Sequence, residues 1–135
     1  MPRLLGVDLG TVRIGLALSD PLGIAAHPQD VIPNDDVAQQ VIADLATKME
    51  VRLIVVGAPI RLDGTRGPEV ERAEEFAKQL ATAAGVPVEL WDERLSSVEA
   101  ERAMRTGGTS ARGQRGVLDK VAAAIVLQSY LEAHR

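Results

Sequence analysis

A chain of 135 residues is the length of one ordinary domain, enough for a real core and too short for two substantial lobes. Its 46% hydrophobic and 25% charged residues and net charge of -4 describe a soluble globular protein, and no apolar run reaches the roughly 18 residues that span a bilayer. With no cysteine and only two histidines, His27 and His134, disulfide frameworks, thiolate zinc sites and cysteine nucleophiles are excluded.

Any metal must therefore be held mainly by oxygen, a ligand set that suits magnesium or manganese. The N-terminus MPRLL runs straight into a strand without signal-peptide architecture, so the expected compartment is the cytoplasm, with no membrane partner. The negative total argues mildly against nucleic acid as a partner, but the charge is unevenly spread. Asp30, Asp35, Asp36, Asp44 and Glu50 lie early, whereas Arg102, Arg105, Arg112, Arg115 and Lys120 cluster late, so a basic patch survives under an acidic sum. Aromatics are only 2%, too few for a base-stacking platform, which leaves recognition of backbone and shape.

In chain order, RLLGVDL and RIGLALS are apolar runs separated by a GTV turn at Gly10, a hairpin pattern. PLG at 21–23 is a second turn, and IAAHPQDVI a third strand whose proline marks an edge. Asn34 is read as the cap of a helix carrying Val37, Ala38, Val41, Ile42, Leu45 and Met49 at helical spacing. RLIVVGAP is a short, continuously apolar strand of the buried parallel type. After a Gly- and Pro-rich loop with Arg61, Asp63 and Arg66, a second helix runs from about Pro68 to the stop at Gly85. VPVELWDE is the fifth strand, SSVEAERAMR a third helix with a Ser96–Glu99 capping box, and TGGTSARGQRG a polar basic loop. The last helix is expected from Gly116 to about Ala133.

This order, three strands followed by alternating helices and strands, predicts an α/β fold with a single mixed five-stranded sheet. Three strands are antiparallel, two are parallel, and helices cover both faces. The first strand is then central, and its carboxyl end is a switch point where ligands bind. Asp8 sits near that end among Leu4, Leu5, Val7 and Leu9. A carboxylate in such company needs a partner, solvent or a cation. Asp92 and Glu93 finish the fifth strand, and alternation lets only one of them face the same crevice. Asp119 precedes Ala122, Ala123 and Val126 by three, four and seven residues, which places it on an apolar, sheet-facing stripe.

Each of these acids has an ordinary explanation alone: a strand-end acid bonded to a turn, a solvated pair, a first-turn helix acid. Together they predict three carboxylates converging on one place, where a divalent cation relieves their repulsion. Two ions about 3.5 to 4 Å apart form the clamp used in phosphodiester hydrolysis. Arg13, Arg66, Arg94, Arg112 and Arg115 are the candidate phosphate contacts. Trp91 is read as a packing residue, and the two histidines are assigned no chemistry.

The stretches GVDLGTVRIGLALSD, GAPIRLDGTRGPEVERAEEFAKQL, WDERLSSVEAE and GVLDKVAAAIVLQSYL, in this order across nearly the whole chain, resemble the YqgF/RuvX family of RNase H-like nucleases related to RuvC. The resemblance implies an RNase H-like fold and an acidic site using Mg2+ or Mn2+. By position it assigns Asp8, Glu93 and Asp119 as the catalytic and metal-holding carboxylates. It further implies an endonuclease of structured nucleic acid, acting at the 5′ end of pre-16S rRNA. The alternative is a Holliday junction resolvase, which would act on branched DNA as a homodimer because two symmetric cuts are needed. Ala58, Ser97 and Val117 depart from common family residues without touching the acids. GVDLGTVRIG also resembles the phosphate-binding hairpin of sugar kinase, actin and Hsp70 ATPases, whose second lobe 135 residues cannot supply. A non-catalytic nucleic-acid-binding module is the remaining alternative.

Overall fold

The computed structural model describes residues 3–58, 64–92 and 111–134, with side chains from 120 onward in the last of these segments. The elements are β1 (Arg3–Leu9), β2 (Arg13–Ser19), β3 (Ala26–Pro33), α1 (Ala38–Lys48), β4 (Val51–Ala58), α2 (Pro68–Ala84), β5 (Val88–Asp92) and α3 (Ala111–Ala133). The strands form one sheet in the order β3-β2-β1-β4-β5. β1 lies antiparallel to β2 and parallel to β4, and β4 is parallel to β5. The expected mixed five-stranded sheet with a central first strand is the one observed.

Alternation along β1 splits the core in two. Leu5 and Val7 join Ile14, Leu16, Ile54 and Val56 beneath Ile42 and Ala46 of α1 and Leu80 of α2. Leu4 joins Ala17 and Val55 beneath Ala123, Val126, Leu127, Tyr130 and Leu131 of α3. Each fully buried Leu, Ile or Val contributes about 1.5–3 kcal/mol, and β4 is apolar from Leu53 to Ala58 because both of its faces are covered there. The sequence stops α2 as expected, with Pro68 in its first turn and Gly85 at φ 71° beyond its end.

Three expectations are corrected. The last helix begins at Ala111 rather than Gly116, so Arg112 and Arg115 stand on its first turns and not in a polar loop. Asn34 does not cap α1, whose N-cap is Val37. The local turn is made instead by Asp35, whose Oδ1 accepts the Val37 N–H at 3.1 Å. Val37 and Val41 do not face the core, being 58% and 42% exposed, and the buried stripe of α1 is Ala38, Ile42, Ala43 and Ala46. Alanine at three of those four positions lets α1 lie close to the sheet, which local periodicity reads poorly. The helix expected at SSVEAERAMR, with Arg102 and Arg105, lies outside the described residues, as do Arg61 and Asp63.

Candidate functional site

Gly6 fixes where α3 crosses the sheet. A Cβ built on Gly6 would stand 2.8 Å from Leu127 Cβ and 2.9 Å from the Ala123 carbonyl oxygen, so the helix rests directly on the β1 backbone. At the amino end of β1, Leu4 packs in the cluster that holds Tyr130 and Leu131. The helix therefore runs antiparallel to β1. Moving from Gly6 to Asp8 advances roughly 7 Å along the strand, and moving from Ala123 to position 119 advances roughly 6 Å along the helix in the same direction. Position 119 is thereby placed over the level of Asp8, on the face that carries Leu4 and Gly6. Of the three residues that define the stripe expected to carry Asp119, Ala123 and Val126 are buried and Ala122 is half-buried.

Asp8 is half-buried and pairs across the hairpin with Gly15. It is the next-to-last residue of β1, where the strand leaves the core. On the far side of the sheet edge, β5 ends at Asp92 beside Ala58. Val88 and Leu90 pack with the α1/α2 core, whereas Trp91 packs against the α3 cluster. Alternation thus puts Asp92 on the face opposite Asp8. Glu93 and Arg94 lie outside the described residues, and the side chain of Asp119 is not described. Among the described residues no three His, Cys, Asp or Glu side chains converge as a metal group.

The hairpin that follows Asp8 is held from a distance. Asn34 Nδ2 donates to the Gly10 carbonyl at 2.7 Å, and the Asn34 backbone N–H donates to the Val12 carbonyl at 2.9 Å. Inside the turn, the Gly10 N–H donates to the Arg13 carbonyl at 2.9 Å, and a side chain on Gly10 would collide with that same oxygen. Gly10 is required here by close approach of backbone rather than by a left-handed conformation. The clamp leaves Thr11 and Val12 projecting, with Val12 69% exposed, at the tip beyond the central strand. Sequence reasoning missed both Gly6 and the true part of Asn34. An isolated glycine within an apolar strand was the available sign of close backbone approach.

Of the expected phosphate contacts, Arg13 is half-buried at the start of β2. Arg66 Nη2 pairs with Glu74 Oε1 at 2.6 Å on the surface, where such a pair contributes little. Arg112 and Arg115 belong to the amino-terminal turns of α3, the end of the helix nearer the level of Asp8. The other end of α3 is structural. Trp91 Nε1 donates to Ser129 Oγ at 3.0 Å, and Trp91 meets Tyr130 edge-on with ring centroids 5.4 Å apart, as expected of a packing residue. His134, expected at a frayed terminus, stacks on Tyr130 at 3.9 Å.

A model of the RuvX family, described as Holliday junction resolvase, matches residues 2–133. The chain belongs to the RuvX family. Two relatives named "Putative pre-16S rRNA nuclease" span almost the same length. The protein of Anaeromyxobacter dehalogenans strain 2CP-C is 49% identical over 132 residues, covering 96% of each chain. That of Myxococcus xanthus strain DK1622 is 42% identical over 135 residues, covering 98% of this chain and 89% of the relative. Among solved structures, Thermus thermophilus RuvC in complex with a Holliday junction substrate aligns with a TM-score of 0.62 at 18% identity, over 99% of this chain and 96% of that one. The fowlpox virus Holliday junction resolvase aligns with a TM-score of 0.57 at 14% identity, over 97% and 99%. At these identities the likeness is one of fold, and it is the RNase H-like, RuvC-related fold that the RuvX motifs imply.

Proposed function

We propose that this protein is a divalent-metal-dependent endonuclease that hydrolyses phosphodiester bonds at the 5′ end of pre-16S rRNA. The observation that carries the reading is the placement of α3 position 119 over the level of Asp8 at the end of the central strand. The names of the relatives at 49% and 42% identity supply the substrate. Asp8, Glu93 and Asp119 hold the cation, Mg2+ or Mn2+, and Asp92 is left out because it lies on the other face. The donor set fits a hard cation, since it is all carboxylate oxygen, and Asp8 stands half-buried at a strand end. A bound cation supplies activation of water and neutralisation of the leaving oxygen. The chain's own residues hold the phosphate in place, with Arg13, Arg66, Arg94, Arg112 and Arg115 as the proposed contacts around the site. Among the described residues no helix is long and apolar enough to cross a membrane. The compartment proposed with this activity, on precursor rRNA, is the cytoplasm.

A second reading, cleavage of branched DNA by a homodimer, is favoured by the description of the matching family. One experiment separates the two. Purified wild type and the Asp8→Asn variant are incubated with precursor 16S rRNA and with four-way junction DNA, in Mg2+, Mn2+ or EDTA. Cleavage of the RNA alone, lost in the variant and in EDTA, is expected. Cleavage of the junction alone by a dimeric species would replace the first reading with the second, and undiminished cleavage by Asp8→Asn would overturn both.

A further inference from the structure

A cavity of about 390 Å³ lies on the opposite face of the sheet edge from Asp8, between the β1–β2 hairpin and α2. Its floor is apolar, formed by Leu9 and Ala73, and its rim is polar, with Thr11 and Asn34 on the hairpin side and Glu69 and Arg72 on the helix side. Resting on the nuclease reading, we propose that this cavity is a nucleoside subsite. It would receive the base and sugar of the nucleotide next to the scissile phosphate.

Three observations point to a nucleoside rather than a second phosphate. The apolar floor suits the flat face of a heterocycle, and a ring of donors and acceptors suits its edge. The Asn34 amide gives one N–H to the Gly10 carbonyl and keeps a second N–H and its oxygen for the edge of a base, and Thr11 is exposed on the hairpin tip. Glu69 in the wall accepts from a base N–H or a sugar hydroxyl, and beside Arg72 it keeps the rim from being the purely cationic cradle that a phosphate favours. Position agrees as well. Leu9 and Gly10, which line the cavity, follow Asp8 directly, so it begins roughly 7 Å or less along the strand from Asp8, a reach comparable with one nucleotide of an extended strand. A strand crossing the sheet edge would put its phosphate on the Asp8 face and its next base over the edge into the cavity. The exposed Val12 at the tip then lies beside the path between them.

The test has a binding arm and a cleavage arm. In the first, isotope-labelled Asp8→Asn protein is titrated with GMP, UMP, 2′-deoxy-UMP, ribose 5-phosphate and inorganic phosphate, and the amide resonances of Gly10, Thr11, Arg72 and Ala73 are followed. Saturable shifts with the nucleotides, absent with ribose 5-phosphate and phosphate and abolished by Ala73→Leu, are expected. Weaker binding of the 2′-deoxy nucleotide would assign the Glu69 contact to the sugar, and equal binding would assign it to the base. No shift with either ribonucleotide at millimolar concentration would overturn the subsite. In the second arm, an abasic residue beside the cleaved bond is expected to lower kcat/KM at least tenfold for wild type, while Ala73→Leu and Arg72→Ala cleave the abasic and intact substrates equally. Equal cleavage of both substrates by wild type would overturn the subsite and leave the nuclease reading standing. Failure of wild type to cleave at all would overturn the nuclease reading, and the titration would then decide the subsite alone. Thermal unfolding of Ala73→Leu guards against a folding defect, and the exposed Arg72→Ala supplies the second variant.

Discussion

Gly6 and Leu127 touch so closely that no side chain fits between them: a Cβ on Gly6 would stand 2.8 Å from the Leu127 Cβ. This contact sets the height of α3 above β1, and through it the relation of position 119 to Asp8. Gly6→Ala must push α3 outward by several tenths of an ångström or strain the strand. The expected cost is about 1–3 kcal/mol, the scale of overpacking a core, with cleavage reduced beyond what the loss of folded protein explains. Urea unfolding and kcat measured on the folded fraction check both parts. An unchanged kcat would show that α3 does not position the site.

The hairpin clamp predicts a different pattern. Asn34→Ala removes the bond to the Gly10 carbonyl and should cost about 0.5–1.5 kcal/mol, with faster amide exchange at Gly10 and Val12 than elsewhere in the sheet. Asn34→Asp keeps the size but turns a donor into an acceptor facing a carbonyl, so it should be worse than alanine. Were Asn34 a helix cap, aspartate would substitute well, and the comparison of the two variants distinguishes the roles.

Asp20 gathers the β2–β3 turn. Its carboxylate accepts N–H groups from Ala25 at 2.7 Å, Ile24 at 2.8 Å and Leu22 at 3.1 Å, and the Ala25 bond leads in holding its pKa below the usual 3.8. A folded-state pKa below the unfolded one stabilises above the unfolded value and is lost as pH falls through the folded one. Asp20→Asn should therefore be less stable than wild type at pH 7, and the gap should close below about pH 3.8. Equal melting temperatures for the two proteins at pH 7 would count against the turn's dependence on charge.

Tyr130 shows the opposite sign. Burial first, then the hydrogen bond it donates to Glu89, pushes its pKa to about 12. Stability from the neutral phenol is present below the unfolded value near 10 and is lost as pH rises through about 12. Tyr130→Phe should cost about 0.5–1.5 kcal/mol at pH 7 and abolish the ultraviolet phenolate titration altogether, Tyr130 being the only tyrosine of the chain.

Much of the architecture was local and so could be read in the sequence. Apolar alternation, the turns at Gly10 and Pro21 and the continuous β4 run each depend on neighbours in the chain, and their order leaves few topologies. The four motifs fixed the family and named the acids by position. What only the tertiary structure decided involves residues far apart in sequence. Asn34 reaches back 24 residues to Gly10, which periodicity cannot distinguish from capping the helix beside it. Asp92 was put on the face opposite Asp8 by the sides of the sheet on which Leu90 and Trp91 pack. The closeness of α3 to β1 came from one missing side chain at Gly6. The sequence by itself determined the strands, their order and the family, because these follow from short-range pattern and residue type. The face on which Asp92 lies, and which turn is clamped, were settled by packing, because such relations exist only once the helices are pressed onto the sheet.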